Sequence, residues 1–504
     1  MRLVSLPAAG LLGALVVAVP VTASADADGC SPSTIVDFNG DGRTDVAVGD
    51  DSADVGSFLE AGRVVVRYGA ANGHVGSGST AILTQAGVGG TSQNGANFGI
   101  ALAAADADCD GYTDLLVGAD GFDLPGATNA GVAHLVRGSS GGLGAAGGTT
   151  TYTAASFGQT PRGGDTFGRS VDMVEDVGTG GTPAPDAYAL AIGVPGRDSA
   201  GAPDSGAVAT RSAVDGGNTG LWIDQESPNV SGASESGDGF GESVALLYDG
   251  DDRTDLVIGS PGEDLVVGSK NVVDAGVITR VRDLYGDEYT NGTSISQNSS
   301  GVPGSVEARD AFGKVLAASR SGSTNFLAVG SPQEDVGSRV DAGQVQLFTL
   351  KGSTLTPKQA ITQNTSGVKD TANTADEFGA SISLALAGNT YLAVGVPGEN
   401  EHGTDSGVVQ VFKASSPATD YLYTPNSSGV AGTAAAGQAF GSQVSLVEGA
   451  TEDVLLATSR NLDLSANGVV HVVAYRGGSA LTNAFWAGPS GSVRFGSAIA
   501  SQGN

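Results

Sequence analysis

The segment 98–118 reads FGIALAAADADCDGYTDLLVG, and it carries the main signal for the fold. A short apolar stretch follows Phe98-Gly99, and an acidic turn rich in Asp and Gly comes next. A second apolar stretch then ends in Val117-Gly118. Two short apolar stretches separated by turn residues are typical of a β-hairpin. The segment therefore predicts two antiparallel strands, the first beginning at Phe98.

The same unit returns along the whole chain at intervals of about 55 to 75 residues. A fixed internal period of this kind indicates a repeat architecture. In most units the second apolar stretch ends in Val-Gly or Ile-Gly, and a third stretch opens with a small residue and Gly. A looser polar strand, such as 149–153, precedes the next unit, so each unit predicts four antiparallel strands. The repeated dipeptides are Phe98-Gly99, Phe167-Gly168, Phe240-Gly241, Phe312-Gly313, Phe378-Gly379, Phe440-Gly441 and Phe495-Gly496.

The two ends of the chain complement each other. Phe495-Gly496 is followed by one strand's length of sequence, whereas the acidic turn at 35–45 has no Phe-Gly strand before it. Joining the C-terminal strand to the N-terminal blade closes a ring and removes an exposed sheet edge. We therefore predict an all-β fold, a seven-bladed β-propeller of four-stranded antiparallel blades that occupies residues 26–504.

The repeated Phe and Gly have separate expected tasks. The Phe ring is predicted to fill the space between neighbouring blades, where a large apolar side chain contributes most. The Gly after it allows backbones to approach without a Cβ clash. Strand residues two apart, such as Val64 and Val66 or Val470 and Val472, are expected to face the same layer between blades.

The N-terminal residues 1–25 are interpreted as a secretory signal peptide. Arg2 gives a short basic region, an apolar stretch follows at 11–21, and Ala23-Ser24-Ala25 is a small-residue cleavage site. Outside this region no apolar run has the length of a membrane span. We expect a secreted, extracellular protein, whereas an uncut hydrophobic anchor is the alternative. In an oxidising compartment Cys30 and Cys109 could form a disulfide, and two free thiols remain the alternative.

Composition excludes one class of partner. The chain has 54 Asp and Glu against 24 Lys and Arg, a formal net charge of −30. Such a field repels nucleic-acid phosphate and anionic headgroups and suits cations. We therefore expect no nucleic-acid partner and a monomeric protein.

Two acidic turns, at 37–45 and 106–114, carry a full set of oxygen ligands. Side-chain oxygens recur at relative positions one, three, five and nine, and a Gly after the fifth position permits a sharp bend. The seventh position is expected to offer only its backbone carbonyl. Alternate oxygens of this kind converge on one hard cation in the first part of an EF-hand loop. The predicted Ca²⁺ ligands are Asp37, Asn39, Asp41, Arg43 and Asp45 in the first turn, and Asp106, Asp108, Asp110, Tyr112 and Asp114 in the second.

A third turn is less complete. It keeps Asp249, Asp251 and Asp255, but Leu247 stands at the first ligand position and Asp252 replaces the Gly. An ordinary polar turn is the alternative at all three places, since Asp and Gly are common turn residues.

Taken together, these motifs resemble the FG-GAP repeat, which builds the propeller of integrin α-subunits and occurs in secreted bacterial proteins. The resemblance implies that calcium turns on one face stiffen the propeller and that ligands meet the opposite face. This chain departs from integrins, because it has no inserted adhesion domain and no leg domains, and its complete calcium turns lie in the N-terminal repeats.

Three functions remain open at this level. The first is a non-catalytic extracellular binding or adhesion module for a protein or cell-surface ligand, using the long loops after the second strands. The second is a glycan-binding lectin in which Trp222 and Trp486 stack on sugars. The third, a propeller glycan hydrolase or lyase, is disfavoured because His134 and His471 fall at equivalent strand positions and no nucleophile elbow is present. We expect no enzyme activity and no catalytic residues.

Overall fold

The computed structural model describes residues 35–144, 148–175, 188–212, 220–248, 254–284, 288–321, 324–386, 390–417, 420–449, 453–460, 468–475, 484–489, 492 and 494–500. The predicted signal peptide at 1–25 lies outside these residues, as do Cys30, Asp249 and Asp251.

The described residues form seven antiparallel sheets of three or four strands that follow one another along the chain, and we call them blades 1 to 7; an eighth, two-stranded sheet is inserted in blade 4. Blade 1 contains β1 (Val46–Asp50), β2 (Arg63–Arg67) and β3 (Thr80–Leu83). Blade 2 contains β4 (Leu102–Ala105), β5 (Asp114–Ala119), β6 (Val132–Val136) and β7 (Thr149–Tyr152). Blade 3 contains β8 (Val171–Glu175), β9 (Tyr188–Gly193), β10 (Val208–Ser212) and β11 (Leu221–Ile223). Blade 4 contains β12 (Ser243–Tyr248), β13 (Thr254–Ser260), β16 (Val277–Leu284) and β17 (Gly292–Ile295), with an inserted hairpin of β14 (Leu265–Val267) and β15 (Lys270–Val272).

The last three blades repeat the same plan. Blade 5 contains β18 (Val315–Ser321), β19 (Thr324–Ser331), β20 (Gln344–Lys351) and β21 (Thr354–Ile361). Blade 6 contains β22 (Ser381–Leu386), β23 (Thr390–Val396), β24 (Val408–Lys413) and β25 (Asp420–Tyr423). Blade 7 contains β26 (Val444–Val447), β27 (Val454–Arg460), β28 (Gly468–Ala474) and β29 (Ala484–Ala487). The prediction of an all-β, seven-bladed propeller is therefore confirmed.

One short 3-10 helix, Ala154–Phe157, follows blade 2. Over the described part of the chain, no helix combines the length and the apolar character that crossing a bilayer requires.

Blade 1 has three strands, and the C-terminal segment lies where the other blades have their first strand. Ile499 pairs with Val48 of β1. The Gly49 N–H donates to the Ala498 carbonyl at 2.8 Å, and the Ala500 N–H donates to the Ala47 carbonyl at 3.1 Å. That this pairing holds the ring closed stays a prediction, which a truncation tests below.

The Phe-Gly dipeptides do not begin the first strands, which corrects the expectation for Phe98. In blade 2 the strand starts at Leu102, and Gly99 adopts a φ of 97° in the turn before it. The Gly99 N–H donates to the Gly118 carbonyl at 2.9 Å, while Phe98 forms a parallel bridge with Gly62 of blade 1. The dipeptide therefore joins two blades, and the geometry needed for that junction is incompatible with a regular strand.

Each blade junction is a close approach between a Gly and a Phe backbone. A Cβ at Gly62 would come well inside 3.0 Å of the Phe98 backbone, and the same holds in every repeat. The Phe98 ring is fully buried and packs between blades 1 and 2 with Val64 and Val66, as expected. The seven junction pairs are Gly62 and Phe98, Gly131 and Phe167, Gly206 and Phe240, Gly276 and Phe312, Gly343 and Phe378, Gly407 and Phe440, and Gly468 and Phe495.

A central cavity of about 190 Å³ is lined mainly by the first strands. Ile499 takes part in this lining, which again places the C-terminal segment in the innermost position of blade 1. The antiparallel strand order defines two ends of the propeller. We call the end with the turns between first and second strands the turn face, and the opposite end, with the loops between second and third strands, the loop face. The other lining residues come from six blades: Leu102, Ala103, Val171, Asp172, Val244, Ala245, Leu316, Ala317, Ala318, Ile382, Ser383, Leu384, Gln443 and Val444.

Candidate functional site

The first acidic turn brings three of its predicted ligands together on the turn face. One carboxylate oxygen each of Asp37, Asp41 and Asp45 lies within 4.8 Å of the others. Asp37 is held in place by the backbone N–H groups of Gly40 and Gly42, both at 2.7 Å. These bonds form because the Gly residues let the chain bend around the carboxylate. The turn therefore presents a compact group of oxygen donors.

The side chains of two further predicted ligands, Asn39 and Arg43, make contacts with Asp41 within this turn. The Asn39 Oδ1 accepts a hydrogen bond from the Asp41 N–H at 3.1 Å. The Arg43 guanidinium pairs with the Asp41 carboxylate at 2.8 Å, and ligation by the Arg43 backbone carbonyl stays a prediction. The side chain of Arg43 supplies a local positive charge at the exposed rim of the turn.

The second turn groups Asp106, Asp108 and Asp114 in the same way, with their oxygens within 4.8 Å of one another. Asp110 is outside this group of three, although its carboxyl lies against that of Asp108. The Asp106 Oδ1 and the Asp108 Oδ1 are buried and have no hydrogen-bond partner. A buried carboxylate oxygen without a partner is costly, and a bound cation removes that cost. The donor set therefore fits a hard cation.

Arg137 is a functional neighbour that the sequence did not indicate. Its Nη1 lies 2.6 Å from the Asp114 Oδ2 and 3.5 Å from the Asp108 Oδ2. The second turn thus has an internal counter-charge that reduces the repulsion among its carboxylates. The feature of the sequence that could have indicated this contact is a basic residue directly after β6 and before Gly138.

The two turns are joined across the boundary between blades 1 and 2. The Asp37 N–H donates to the Thr113 Oγ1 at 2.9 Å, and the Thr113 N–H donates to the Asp37 carbonyl at 2.9 Å. The Tyr112 ring packs on Gly40 of the first turn, and ligation by the Tyr112 backbone carbonyl stays a prediction. The two turns therefore share hydrogen bonds and a ring contact across the blade boundary.

Burial and mutual repulsion raise the pKa of the clustered carboxyls. Desolvation raises the pKa of Asp45 to about 7 and that of Asp114 to about 7. Desolvation and the charges of Asp108 and Asp106 raise the pKa of Asp110 to about 6. Without a bound cation, the ionised form of these carboxyls is therefore unfavourable. Coordination of a cation stabilises that ionised form.

Of the acidic residues predicted in the third turn, Asp255 lies within the described part of the chain. Asp255 is fully buried and its Oδ2 pairs with Arg280, whose Nε lies 2.7 Å away. Its Oδ1 accepts from the Asp283 N–H at 3.0 Å. The Asp114 carboxylate is engaged in the same way, by Arg137 and by the Gly138 N–H, so Asp255 matches the corresponding residue of the second turn. Asp249 and Asp251 lie outside the described residues, so a third site stays a prediction.

Cys109 lies within the second turn at a φ of 57° and is not a free thiol. Its predicted partner Cys30 lies outside the described residues, and the pairing stays a prediction.

On the loop face, the loops between second and third strands of blades 1 to 6 share one hydrogen bond that sequence reasoning missed. In each, an Asp or Asn side-chain oxygen near the start of the loop accepts from a backbone N–H near its end, and we call this bond the clamp. In blade 1 the Asp54 Oδ1 accepts a hydrogen bond from the Glu60 N–H at 3.0 Å, and Glu60 adopts a φ of 51°. The third strand of each blade opens with a small residue followed by Gly. In four blades the accepting Asp lies seven positions before that small residue, and this spacing is visible in the sequence. The clamped pairs are Asp54 and Glu60, Asp123 and Asn129, Asp198 and Asp204, Asp264 and Asp274, Asp335 and Asp341, and Asn400 and Asp405.

These clamped loops expose apolar side chains. Phe58 is 41% exposed and Leu59 61%, both in the blade 1 loop. Val266 is 72% exposed in the blade 4 hairpin and Val340 is 50% exposed in the blade 5 loop. Large apolar groups held in solvent by rigid loops are suited to contact a partner.

The two equivalent histidines are buried packing residues. The His134 imidazole contacts Gln85 and Thr151 at 3.1 and 3.0 Å. His471 contacts the Ser459 hydroxyl at 2.8 Å and the Ala431 carbonyl at 2.9 Å. Burial lowers the pKa of each to about 4, so both rings are neutral near pH 7. Neither ring is placed to exchange protons with a solvent-borne substrate.

Both tryptophans are covered by arginines. Trp486 is buried, and the Arg67 guanidinium lies 4.5 Å from its ring centre. Trp222 is half-buried, and the Arg197 guanidinium lies 5.2 Å from its ring centre. Trp486 is therefore not available to stack on a sugar, whereas the lectin alternative stays open at the half-buried Trp222.

Comparison with known families agrees with this geometry. A family model for the FG-GAP repeat matches residues 98–136, the stretch from the Phe98 junction through β6. Among curated proteins, none matches the chain. The chain is thus a seven-bladed β-propeller that contains an FG-GAP repeat.

Proposed function

We propose that this chain is a secreted, calcium-binding β-propeller that acts as a non-catalytic extracellular binding or adhesion module. The observation that carries the proposal is the set of six clamped loops on the loop face. Loops that are ordered before binding lose little conformational entropy on complex formation, which favours a recognition role. The acidic turns on the opposite face support a structural role for the cation, because they join neighbouring blades rather than line a cleft.

The partner is proposed to be a protein or a cell-surface component. Apolar tips among acidic loops favour a partner that combines an apolar patch with basic groups. A glycan ligand is the alternative, and a glycan hydrolase or lyase is less favoured because both equivalent histidines are buried and neutral.

Calcium is expected to raise the melting temperature (Tm) through the acidic turns. Extracellular-type sites have Kd values of about 10⁻⁴ to 10⁻³ M, so about 10 mM Ca²⁺ stabilises each site by about 1 to 3 kcal/mol. The substitutions Asp106→Asn and Asp110→Ala should each reduce this gain, since they remove donor oxygens from the second turn. Differential scanning calorimetry with Ca²⁺ and with a chelator measures the effect.

The matched control is Glu288→Gln, an exposed residue with the same change in charge as Asp106→Asn. It should keep the full gain. An equal gain in the parent and in both turn variants would contradict the assignment of the ligands.

The loop face is tested by the double substitution Phe58→Ser and Leu59→Ser. The parent is screened on a glycan array and against a panel of purified extracellular proteins. For a partner found in this way, we expect affinity to fall at least about tenfold, since exposed apolar anchors contribute most at such contacts. Tyr421→Ser, at a 55% exposed site on the outermost strand of blade 6, serves as the control and should bind as the parent does.

An equal loss of affinity in the Tyr421 variant would argue against the loop face. New reducing ends after incubation with polysaccharides would support the enzyme alternative instead.

A further inference from the structure

Three adjacent blade junctions on the loop face contain the same buried trio of side chains. Each has a Gln two residues after the fourth strand, an Asp two residues before the Phe of Phe-Gly, and a Glu in the loop after the second strand of the next blade. All nine side chains are buried except Glu263, which is half-buried. The trios are Gln225, Asp238 and Glu263; Gln297, Asp310 and Glu334; and Gln363, Asp376 and Glu399.

The Gln fixes the Glu in each trio. Its Nε2 donates to the Glu Oε2, at 2.6 Å for Glu263, 2.5 Å for Glu334 and 2.7 Å for Glu399. These bonds span separations of 36 to 38 residues and connect neighbouring blades. The Glu carboxyl is therefore held inside the junction and does not turn out to solvent.

The Asp of each trio accepts a hydrogen bond from a backbone N–H, and in two of the three trios its other oxygen has no partner. The Asp238 Oδ2 accepts from the Glu235 N–H at 2.7 Å, and the Asp376 Oδ2 accepts from the Asn373 N–H at 2.5 Å. The Oδ1 atoms of Asp238 and Asp376 are buried without a hydrogen-bond partner. The Asp376 carboxyl lies at hydrogen-bonding distance from that of Glu399. Two ionised carboxylates cannot form a hydrogen bond, so a positive charge is missing.

The preceding junction shows what the missing charge does. There Arg197 stands where the other three junctions have Glu, and the Asp165 carboxyl takes the place of the other Asp residues. The Arg197 Nη1 lies 3.1 Å from the Asp165 Oδ2 and 3.3 Å from its Oδ1. Both residues are buried, and both Asp165 oxygens are satisfied. In the three junctions that contain Glu, either a metal ion or a proton must compensate the negative charge that Arg197 compensates here.

A proton fits better than a metal. Within the described residues, only the two acidic turns bring three ligand oxygens of His, Cys, Asp or Glu close enough to share an ion. In the third trio the two carboxyls are at hydrogen-bonding distance, and in the other two the Asp is near enough for its charge to act on the Glu. Two neighbouring buried carboxyls can share one proton.

We propose that each of these three junctions holds one proton between its Asp and its Glu, so that blades 3 to 6 are bound more firmly in mildly acidic than in alkaline solution. The device goes beyond the proposed binding function and does not depend on it.

The pKa values of the paired carboxyls agree with this assignment. Burial raises the pKa of Asp310 to about 7 and that of Glu334 to about 8. Burial likewise raises the pKa of Asp238 to about 6, of Glu263 to about 7 and of Asp376 to about 7. The charged neighbours that act on the pairs are acidic and shift the pKa values in the same direction: Glu235, Asp264, Glu307, Asp335, Asp370 and Glu401.

The sign of the pH dependence follows from these shifts. The unfolded carboxyls titrate at about 4, whereas the paired ones keep a proton up to about pH 6 to 8. The folded state therefore binds more protons between these limits. The stabilisation is complete below about pH 4 and is lost as the pH rises through about 6 to 8.

The test compares the parent with the triple variant Glu263→Gln, Glu334→Gln and Glu399→Gln. A Gln amide at each site can donate a hydrogen bond to the Asp carboxylate without taking up a proton, and in the first and third trios the unpartnered Oδ1 is the acceptor. Tm is measured between about pH 6.5 and about pH 8.5, above the range in which the buried histidines titrate, with a chelator in every sample. We expect Tm of the parent to fall across this range and the fall in the variant to be less than about half as large.

Two controls keep the result decisive. The triple variant Glu60→Gln, Glu226→Gln and Glu288→Gln makes the same change in charge at exposed sites and should follow the parent. If the triple variant of the trios does not fold, the single Glu399→Gln variant and the infrared band of protonated carboxyl groups in the parent near pH 7 replace it. A parallel pH profile in the trio variant, or the absence of that band, overturns the proposal.

Discussion

Replacing Gly62 by Ala is expected to lower the free energy of unfolding by about 2 to 5 kcal/mol, the sum of overpacking and left-handed backbone strain. Gly62 adopts a φ of 79°, and a Cβ there would come well inside 3.0 Å of the Phe98 backbone. The neighbouring atoms are backbone atoms of the next blade, so they cannot rotate away as a flexible side chain does. The junction between blades 1 and 2 must open instead. Urea unfolding followed by circular dichroism measures the change.

Gly56→Ala separates the steric effect from backbone strain. Gly56 also has a positive φ, of 64°, but a Cβ there would meet nothing within 4 Å. Its substitution should cost only about 1 to 2 kcal/mol, the cost of placing a non-Gly residue in the left-handed region. Equal losses in the two variants would show that the close approach of Gly and Phe does not hold the blades together.

Removing residues 494–504 is expected to be the most damaging truncation, with a loss of at least about 5 kcal/mol. The Phe495 side chain is 2% exposed and belongs to the core between blades 7 and 1. Loss of a buried Phe costs about 3 to 5 kcal/mol, and each of three lost backbone hydrogen bonds to β1 adds about 1 kcal/mol. Blade 1 would also be left with an exposed inner strand. The unfolding transition should become less cooperative as well as weaker.

Point substitutions check the same idea without changing the chain length. Phe495→Ala should destabilise the protein about as much as Phe98→Ala, because both rings fill the same position in the repeat. Phe485→Ala, at a 49% exposed site in blade 7, should change stability by less than about 1 kcal/mol. A truncated protein that unfolds like the parent would refute ring closure by the C-terminal segment.

Much of the architecture could be predicted because its signals are local. A turn rich in Asp and Gly between two apolar stretches specifies a hairpin through backbone geometry, and seven Phe-Gly dipeptides specify how often the unit recurs. The positions of Asp37, Asp45, Asp106 and Asp114 in their turns followed from spacing alone. Strand starts were less predictable, because the position of Phe98 is decided by Gly62 of another blade.

The side-chain partners of the acidic turns could not be predicted. Tyr112 packs on a turn 72 positions away, and Arg137 reaches Asp114 across 23 positions. Such contacts depend on how one blade is set against the next, and no pattern within a single repeat contains that information.

The amino-acid sequence alone determined the kind of fold, the number of blades and the two oxygen-rich turns, since strand alternation and turn chemistry act within a few residues. The tertiary structure decided which charges meet. An Asp beside Arg197 is satisfied, whereas the corresponding Asp376 faces Glu399 and lacks a positive charge. The residues of each pair are 23 to 32 positions apart and meet only when neighbouring blades pack, because desolvation and charge pairing depend on distance in space and not on distance along the chain.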